Sequence, residues 1–442
     1  YLNGTVNAHS INVVNAKEQF VIDSINVVAT TTSKKNTLVV NSPFLDAEIN
    51  GKYKLSKIAN ALSNSIATYY DSNPNSKKIA VENQQFDFKV SVKDNPIILK
   101  LIPELKSLEP INITGKYNSV NDSIVLNGSI PKLVYGANTI TNATLKVDTQ
   151  DKALLYSFVV DDIQNNQIQL PHTSITGKVE KNLVDYILQL KDAKDVERYL
   201  IAGTLKATNG NNEVSLGPDN LLLNYESWKI AQDNLIRFGA KGIYIDNFEL
   251  SKDGSNIKIQ SETDNQNAPI AIDFKDFDIN TITSFVEKKD LQLSGKINGN
   301  ATVKNLTKTP LFTSDLNIEN FTFKKDTVGN ISINVNNAIA NLYDAKVAIT
   351  GKGNQVNLEG FYKANESRFD MNLDIDKLNL KSIQGFTLDN ITESTGFLTG
   401  NFKITGNTTQ PKVIGELQFN EIGFKATQLN AKFKSLNDKI TF

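Results

Sequence analysis

Apolar and polar residues alternate over long stretches of the chain, as in Ile331-Ser-Ile333-Asn-Val335, Ile257-Lys-Ile259 and Phe369-Asp-Met371-Asn-Leu373-Asp-Ile375. Successive side chains of a strand point to opposite faces, so this period of two predicts strands with one apolar face. The apolar positions are mostly Ile, Leu, Val and Phe, and the opposite face carries Asn, Asp, Lys, Ser and Thr, as expected of a face that meets water. A longer signature, apolar-x-apolar-x-x-apolar-x-apolar, occurs from Phe20 to Val27, Ile243 to Leu250, Ile272 to Ile279, Leu316 to Phe323, Leu373 to Leu380 and Leu417 to Phe424. Its central spacing of three would turn the second apolar pair to the wrong face of a regular strand. A bulge or bend at the two middle residues restores the face, so the signature predicts a repeated corner.

Glycine stands in an apolar-x-Gly-x-apolar frame at Gly4, Gly51, Gly115, Gly128, Gly177, Gly203, Gly295, Gly360 and Gly400. Within strands such a residue marks a bend, a bulge or a close approach of backbone. The spacing varies, which describes a degenerate repeat and not a fixed-period solenoid. Helical signal is sparse. Ile58, Leu62 and Ile66 predict a helix over 57–70 with Ser56 as its cap. Asn95-Pro96 followed by Ile98, Leu101, Ile102 and Leu105 predicts a second over 97–108, interrupted by Pro103, and a short third is expected over 280–288. No Pro/Gly/Ser-rich linker breaks the pattern, so residues 1–442 read as one continuous all-β segment. Its apolar face suits either the core of stacked β-sandwiches or an open groove. The missing linkers and the persistence of the corner from Phe20 to Phe424 favour the groove.

Composition narrows the function. Apolar residues (40%) and charged residues (21%) suffice for an ordered protein with one dry and one wet surface. Lys plus Arg (47) balances Asp plus Glu (48), which removes the electrostatic attraction that nucleic-acid binding needs. Cysteine is absent, excluding thiol nucleophiles, disulfides and thiolate metal sites. No run of ~18 apolar residues is present to span a bilayer as a helix. The sequence starts at Tyr1 and its only methionine is Met371, so it reads as an internal piece of a longer protein. His9 and His172 have no nucleophile motif beside them and read as surface or turn residues, and the carboxylates are scattered over the polar face. The stretch from Asp71 to Glu82 imitates the spacing of a calcium loop but has Ser76 where glycine is needed and Pro74 inside it. Trp228 reads as a packing residue. No catalytic residue, metal or cofactor is expected, and the chain is not expected to be an enzyme.

The stretch from Phe369 to Phe442 resembles the TamB branch of the AsmA-like proteins, particularly flavobacterial-type members. LDIDKLNLKSIQGF leads to STGFLTGNFKITGNTTQPKVIGELQF, similar to that family's apolar strand followed by G-x-L-x-G, G-x-x-x-x-P and G-x-L-x-F. Further agreement lies from Leu45 to Tyr70, from Trp228 to Leu250 and from Ser294 to Val335. The resemblance implies an elongated repeating β-groove: a curled, taco-like antiparallel sheet with an apolar interior and a few short helices. It also implies a periplasmic bridge between the inner and outer membranes of a Gram-negative bacterium. An N-terminal inner-membrane anchor and a C-terminal module would lie outside this segment, and an Omp85-type outer-membrane protein would be the partner, met through those outer regions. The implied activity is conduction of phospholipids in support of outer-membrane biogenesis.

On that expectation the groove lining comprises Ile243, Ile245, Phe248 and Leu250; Ile272, Phe274, Phe277 and Ile279; Leu316, Ile318, Phe321 and Phe323; Ile331, Ile333 and Val335; and Leu373, Ile375, Leu378 and Leu380. The competing expectations are a scaffold or chaperone that pairs its sheet edges with outer-membrane strands, and a β-sandwich adhesin with a solid core.

Overall fold

Branched and aromatic side chains at alternate positions fit a pleated sheet, and Asn, Asp, Gly and Ser supply the turns between them. In the computed structural model strands account for 69% of the chain and helices for 8%, and the long antiparallel sheets do not close into a barrel. The all-β class expected from the alternation holds. The structure describes residues 3–14, 19–71, 79–165, 169–208, 210–283, 292–306, 310–339, 341–407 and 409–442. Most of the calcium-like loop, residues 72–78, lies outside them. The single segment expected from the unbroken pattern divides into two compact units, Tyr1–Ser227 and Trp228–Phe442.

The first unit is an antiparallel meander that begins with Gly4–Val14 and Gln19–Thr31 and continues through Leu183–Lys191 and Glu197–Thr208. Its registers link strands that follow one another in the chain. One exception is the short strand Leu105–Leu108, which pairs with the far end of Ser123–Tyr135 while Gln85–Val92 pairs directly with Ile111–Asn118.

Two helices occupy connections of this meander. Leu55–Tyr69 buries Ala61, Ser65 and Tyr69, and Ala61 packs in a cluster with Tyr53, Phe86 and Tyr117. Of the expected stripe, Ile58 and Leu62 pack against that cluster, whereas Ile66 is 48% exposed. Small residues let the helix approach the aromatic rings closely, and Ser65 hydrogen-bonds to the Tyr117 hydroxyl (2.9 Å) and to Asp122 Oδ1 (2.6 Å). Ser56 is not the cap. The N-cap is Lys54, which makes no side-chain cap bond, and its N–H donates to Gln84 Oε1 at 2.7 Å. The second helix, Pro96–Leu101, starts with the Asn95 side chain accepting from the Ile97 N–H at 3.0 Å and stops before Pro103, which cannot continue it. The remainder of the expected 97–108 helix is the strand Leu105–Leu108.

In the second unit the described residues form a 14-stranded antiparallel sheet beginning with Lys229–Ile230 and Phe248–Lys252. Leu235–Gly239 and Gly242–Asp246 pair with each other as a hairpin outside that 14-stranded sheet. A short helix spans Ile279–Thr283, while 284–288 of the expected third helix lie outside the described residues. A further helix, Leu380–Ile383, and the 3₁₀ turn Gln384–Thr387 were not foreseen, because the signature reads Leu378 and Leu380 as strand.

The predicted corner is present. Pairing slips between Phe274 and Phe277, between Ile318 and Phe321, and between Ile375 and Leu378, at the central spacing of three copies of the signature. The fifth residue of a copy takes a left-handed backbone at Asn247 (φ 48°), Asp276 (φ 46°), Asn320 (φ 52°) and Glu421 (φ 50°). Short side chains that bond locally tolerate that region best, which suits the polar centre of the signature. At Phe20–Val27 the irregularity sits on the neighbouring strand, at Ser10 (φ 51°). The first unit bends again at Asn142 (φ 49°) and His172 (φ 43°) on either side of Asp161, whose carboxylate accepts from Asn142 Nδ2 at 2.9 Å. That bend carries no copy of the signature.

Candidate functional site

Register decides which apolar positions of different strands become neighbours. In the second unit one directly paired row runs Leu250, Ile257, Phe274, Gly299, Leu316, Ile333, Val347, Leu358, Leu373, Phe402, Gly415. Nearer the corner a parallel row runs Phe277, Ile297, Ile318, Ile331, Ile349, Val356, Ile375, Gly400, Leu417. On the other side a third row contains Phe248, Ile259, Ile272, Ala301, Ser314 and Val335. Strands stand ~4.8 Å apart, so the first row extends roughly 50 Å. Between these rows the opposite face is polar: Asp273, Asn300, Asp315, Asn334, Lys346 and Glu359 follow one another across strands and are all exposed.

Burial is graded across the dry face. In the row beside the corner Phe277, Ile297, Ile318, Val356 and Ile375 are buried. In the middle row Leu250, Phe274, Leu316, Ile333 and Leu373 are only half-buried. Ile331 and Ile272 are half-buried too, whereas Val335 is buried. A closed sandwich core would bury its middle row most completely, and here the middle is the more open part.

The residues at and beyond the corner pack differently. Phe321 and Phe323 are buried, and Phe323 stacks on Phe386 of the 3₁₀ turn with centroids 4.2 Å apart. Leu378 and Leu380 join Leu398 and Ile422 in a closed cluster, and Leu380 opens the short helix instead of ending a strand. Ile279 likewise opens the helix Ile279–Thr283. Ile243 and Ile245 lie on the hairpin 235–246, opposite Phe238 and Ile236. Trp228 is buried and packs against Phe277 at 5.9 Å.

The first unit builds the same kind of face. One row runs Val6, Val27, Val40, Ala47, Val90, Ile113, Gly128, Leu145, Phe158, Ile175, Leu188, Ile201. Val27, Val40, Val90, Leu145 and Phe158 are half-buried, and Ile175 is 38% exposed. Beside the bend, Ala143, Val160, Thr173, Leu190 and Tyr199 form a buried row. None of these positions belongs to the expected lining. The alternation Leu154-x-Tyr156-x-Phe158-x-Val160 was the available signal, diluted by apolar residues on the opposite face.

Several framed glycines share one purpose. Phe88 pairs with Gly115, Tyr156 with Gly177 and Tyr186 with Gly203, and in each pair the ring occupies the space a Cβ on the glycine would need. Burial on the dry face raises the phenol pKa of Tyr156 and Tyr186.

His172 stands exposed at the bend, and His9 lies on the strand Gly4–Val14. Among the described residues the candidate site is the apolar surface formed by these rows. Comparison with protein-family models, curated proteins and solved structures yields no match.

Proposed function

We propose that the chain conducts phospholipids by sheltering their acyl tails on its apolar faces, with the head groups left in water, as the resemblance to TamB implies. The observation that carries this reading is the half-buried middle row, in which Leu316, Ile333 and Leu373 leave apolar surface uncovered along a continuous line across the strands. Each methylene in water costs about 0.8 kcal/mol, so two ~16-carbon tails cost roughly 25 kcal/mol in the open. A lining without polar interruptions lowers that barrier and requires no catalytic residue. In this reading the segment bridges the periplasm, is held at the inner membrane by an anchor outside it, and meets an Omp85-type partner through regions beyond it.

The test is lipid transfer between vesicles in the presence of the chain. Ile333→Asp or Leu373→Arg puts a charge in the path at a half-buried position, so the fold should survive while transfer slows at least about tenfold. Unchanged transfer by variants with native circular dichroism would refute the reading. Photocrosslinking distinguishes the scaffold alternative: lipid captured from the inward Ile333 supports conduction, whereas client strands captured along a sheet edge support the scaffold.

A further inference from the structure

A cavity of about 820 Å³ lies in the first unit between the turn 32–35 and the first turn of the helix Leu55–Tyr69. That volume falls within the ~300–1,000 Å³ typical of small-ligand sites. Its walls have two chemistries. Lys34, Lys35, Lys52 and Lys54 line it against a single carboxylate, Glu82, which is paired with Lys54. The chain as a whole carries 47 basic against 48 acidic residues, so four lysines to one glutamate is a local concentration of positive charge. The other wall is apolar. Ala29 and Leu38 are cross-strand partners on the dry face, and Leu38 and Tyr53 belong to the cluster under the helix.

Bonds among the described residues hold the walls in place, and these do not use the Lys34 or Lys35 ammonium group. Asn36 Nδ2 donates to the Tyr53 carbonyl at 2.8 Å, and Gln84, 1% exposed, accepts from the Lys54 N–H. The helix that starts here has no acidic residue in its first turn, so its positive dipole end adds to the lysines. Lys34 and Lys52 also border a depression lined by Lys116 and by one carboxylate, Asp87, so the lysines outnumber the acid there as well.

We infer that this cavity binds the phosphodiester head group of an anionic phospholipid, with the lysines on the phosphate and the first methylenes of the tails on Leu38 and Tyr53. The inference rests on the lipid-conduction reading for its ligand class and adds an entry site to it. Ammonium groups act on phosphate as mobile point charges, which suits a transient hold on a moving ligand better than a rigid bidentate clamp would.

Titration of the full chain with monomeric dihexanoylphosphatidylglycerol, followed by calorimetry or phosphorus NMR, tests it. The combined variant Lys34→Gln, Lys35→Gln, Lys52→Gln should bind at least tenfold more weakly, while the corresponding arginine variant retains binding. A control with the remote exposed lysines changed, Lys275→Gln, Lys296→Gln, Lys412→Gln, should bind as the unmodified chain does. Inorganic phosphate should bind at least tenfold more weakly than the lipid. Unchanged binding by the first variant, or an equal loss in the control, overturns the site, and phosphate binding as tightly as the lipid overturns the lipid assignment. The outcome is separable from conduction. Loss of head-group binding with normal transfer by Ile333→Asp sinks the groove and keeps the site, and the reverse sinks the site alone.

Discussion

Tyr156 lies across its cross-strand partner Gly177, and a methyl group added to Gly177 would stand 2.8 Å from the Tyr156 hydroxyl and collide with the Asp185 carbonyl. The hydroxyl donates to that carbonyl at 3.0 Å, so the ring is fixed and cannot swing away without breaking a bond. Gly177→Ala is expected to cost about 1–3 kcal/mol by overpacking. At Gly128 the same methyl would meet Leu145 Cβ at 3.5 Å, an ordinary contact, so Gly128→Ala should change stability by less than about 1 kcal/mol. Urea unfolding of the two variants checks the contrast.

The corner makes a second prediction. Asn320 holds φ at 52° and its N–H donates to Asn330 Oδ1 at 2.9 Å. A β-branched residue in that backbone region is strained by roughly 1–2 kcal/mol. Asn320→Val should therefore lower the melting temperature, and Asn320→Gly should leave it within a degree or two of the unmodified chain or raise it.

Graded burial predicts graded sensitivity. Ile318, 8% exposed beside the corner, should lose about 2–5 kcal/mol on truncation to alanine, since the rigid bend cannot collapse around the hole. Leu358 in the half-buried middle row should lose roughly half as much. Equal losses in chemical denaturation would mean that the middle row is packed as tightly as the corner.

A carboxylate in the first unit predicts a dependence on pH. Asp192 accepts from the N–H groups of Val196 (3.0 Å) and Lys194 (2.8 Å) and from the Tyr225 hydroxyl (2.8 Å). These bonds, that of Val196 first, hold its pKa below the usual carboxylate value of 3.8. A depressed folded pKa contributes stability above the unfolded value and loses it as pH falls through the folded one. Asp192→Asn should thus lower the urea midpoint at neutral pH, and the difference from the unmodified chain should close as pH drops below 3.8.

The strands and the corner were legible in the sequence because both depend on residues close together in the chain. Leu316 to Phe323 already contains its apolar pairs and the polar residues that take the bend. The rows were not legible, since the adjacency of Phe274 to Gly299 or of Leu373 to Phe402 is set by register between strands. The dry face of the first unit was not legible for a compositional reason: Val, Ala, Gly and Tyr are interspersed with Ile, Leu and Phe along its rows, and apolar residues such as Leu155 and Ile187 also stand on the other side. The helix Leu55–Tyr69 was legible together with Ile58 and Leu62 of its contact face, but the centre of that face was not. Ala61 and Ser65 have too little apolar surface to register as a stripe, yet their small size is what admits the aromatic rings.

The meander connects strands that are consecutive in the chain, and this has a consequence for how such a protein changes length. A hairpin can be inserted or deleted as a pair without rerouting any other connection, and the neighbours on either side can rejoin in register. The distance covered is then adjustable in increments of roughly 10 Å, two strand spacings, by duplication or loss of about two dozen residues. A sheet built in this way can gain or lose length while keeping the chemistry of its surface.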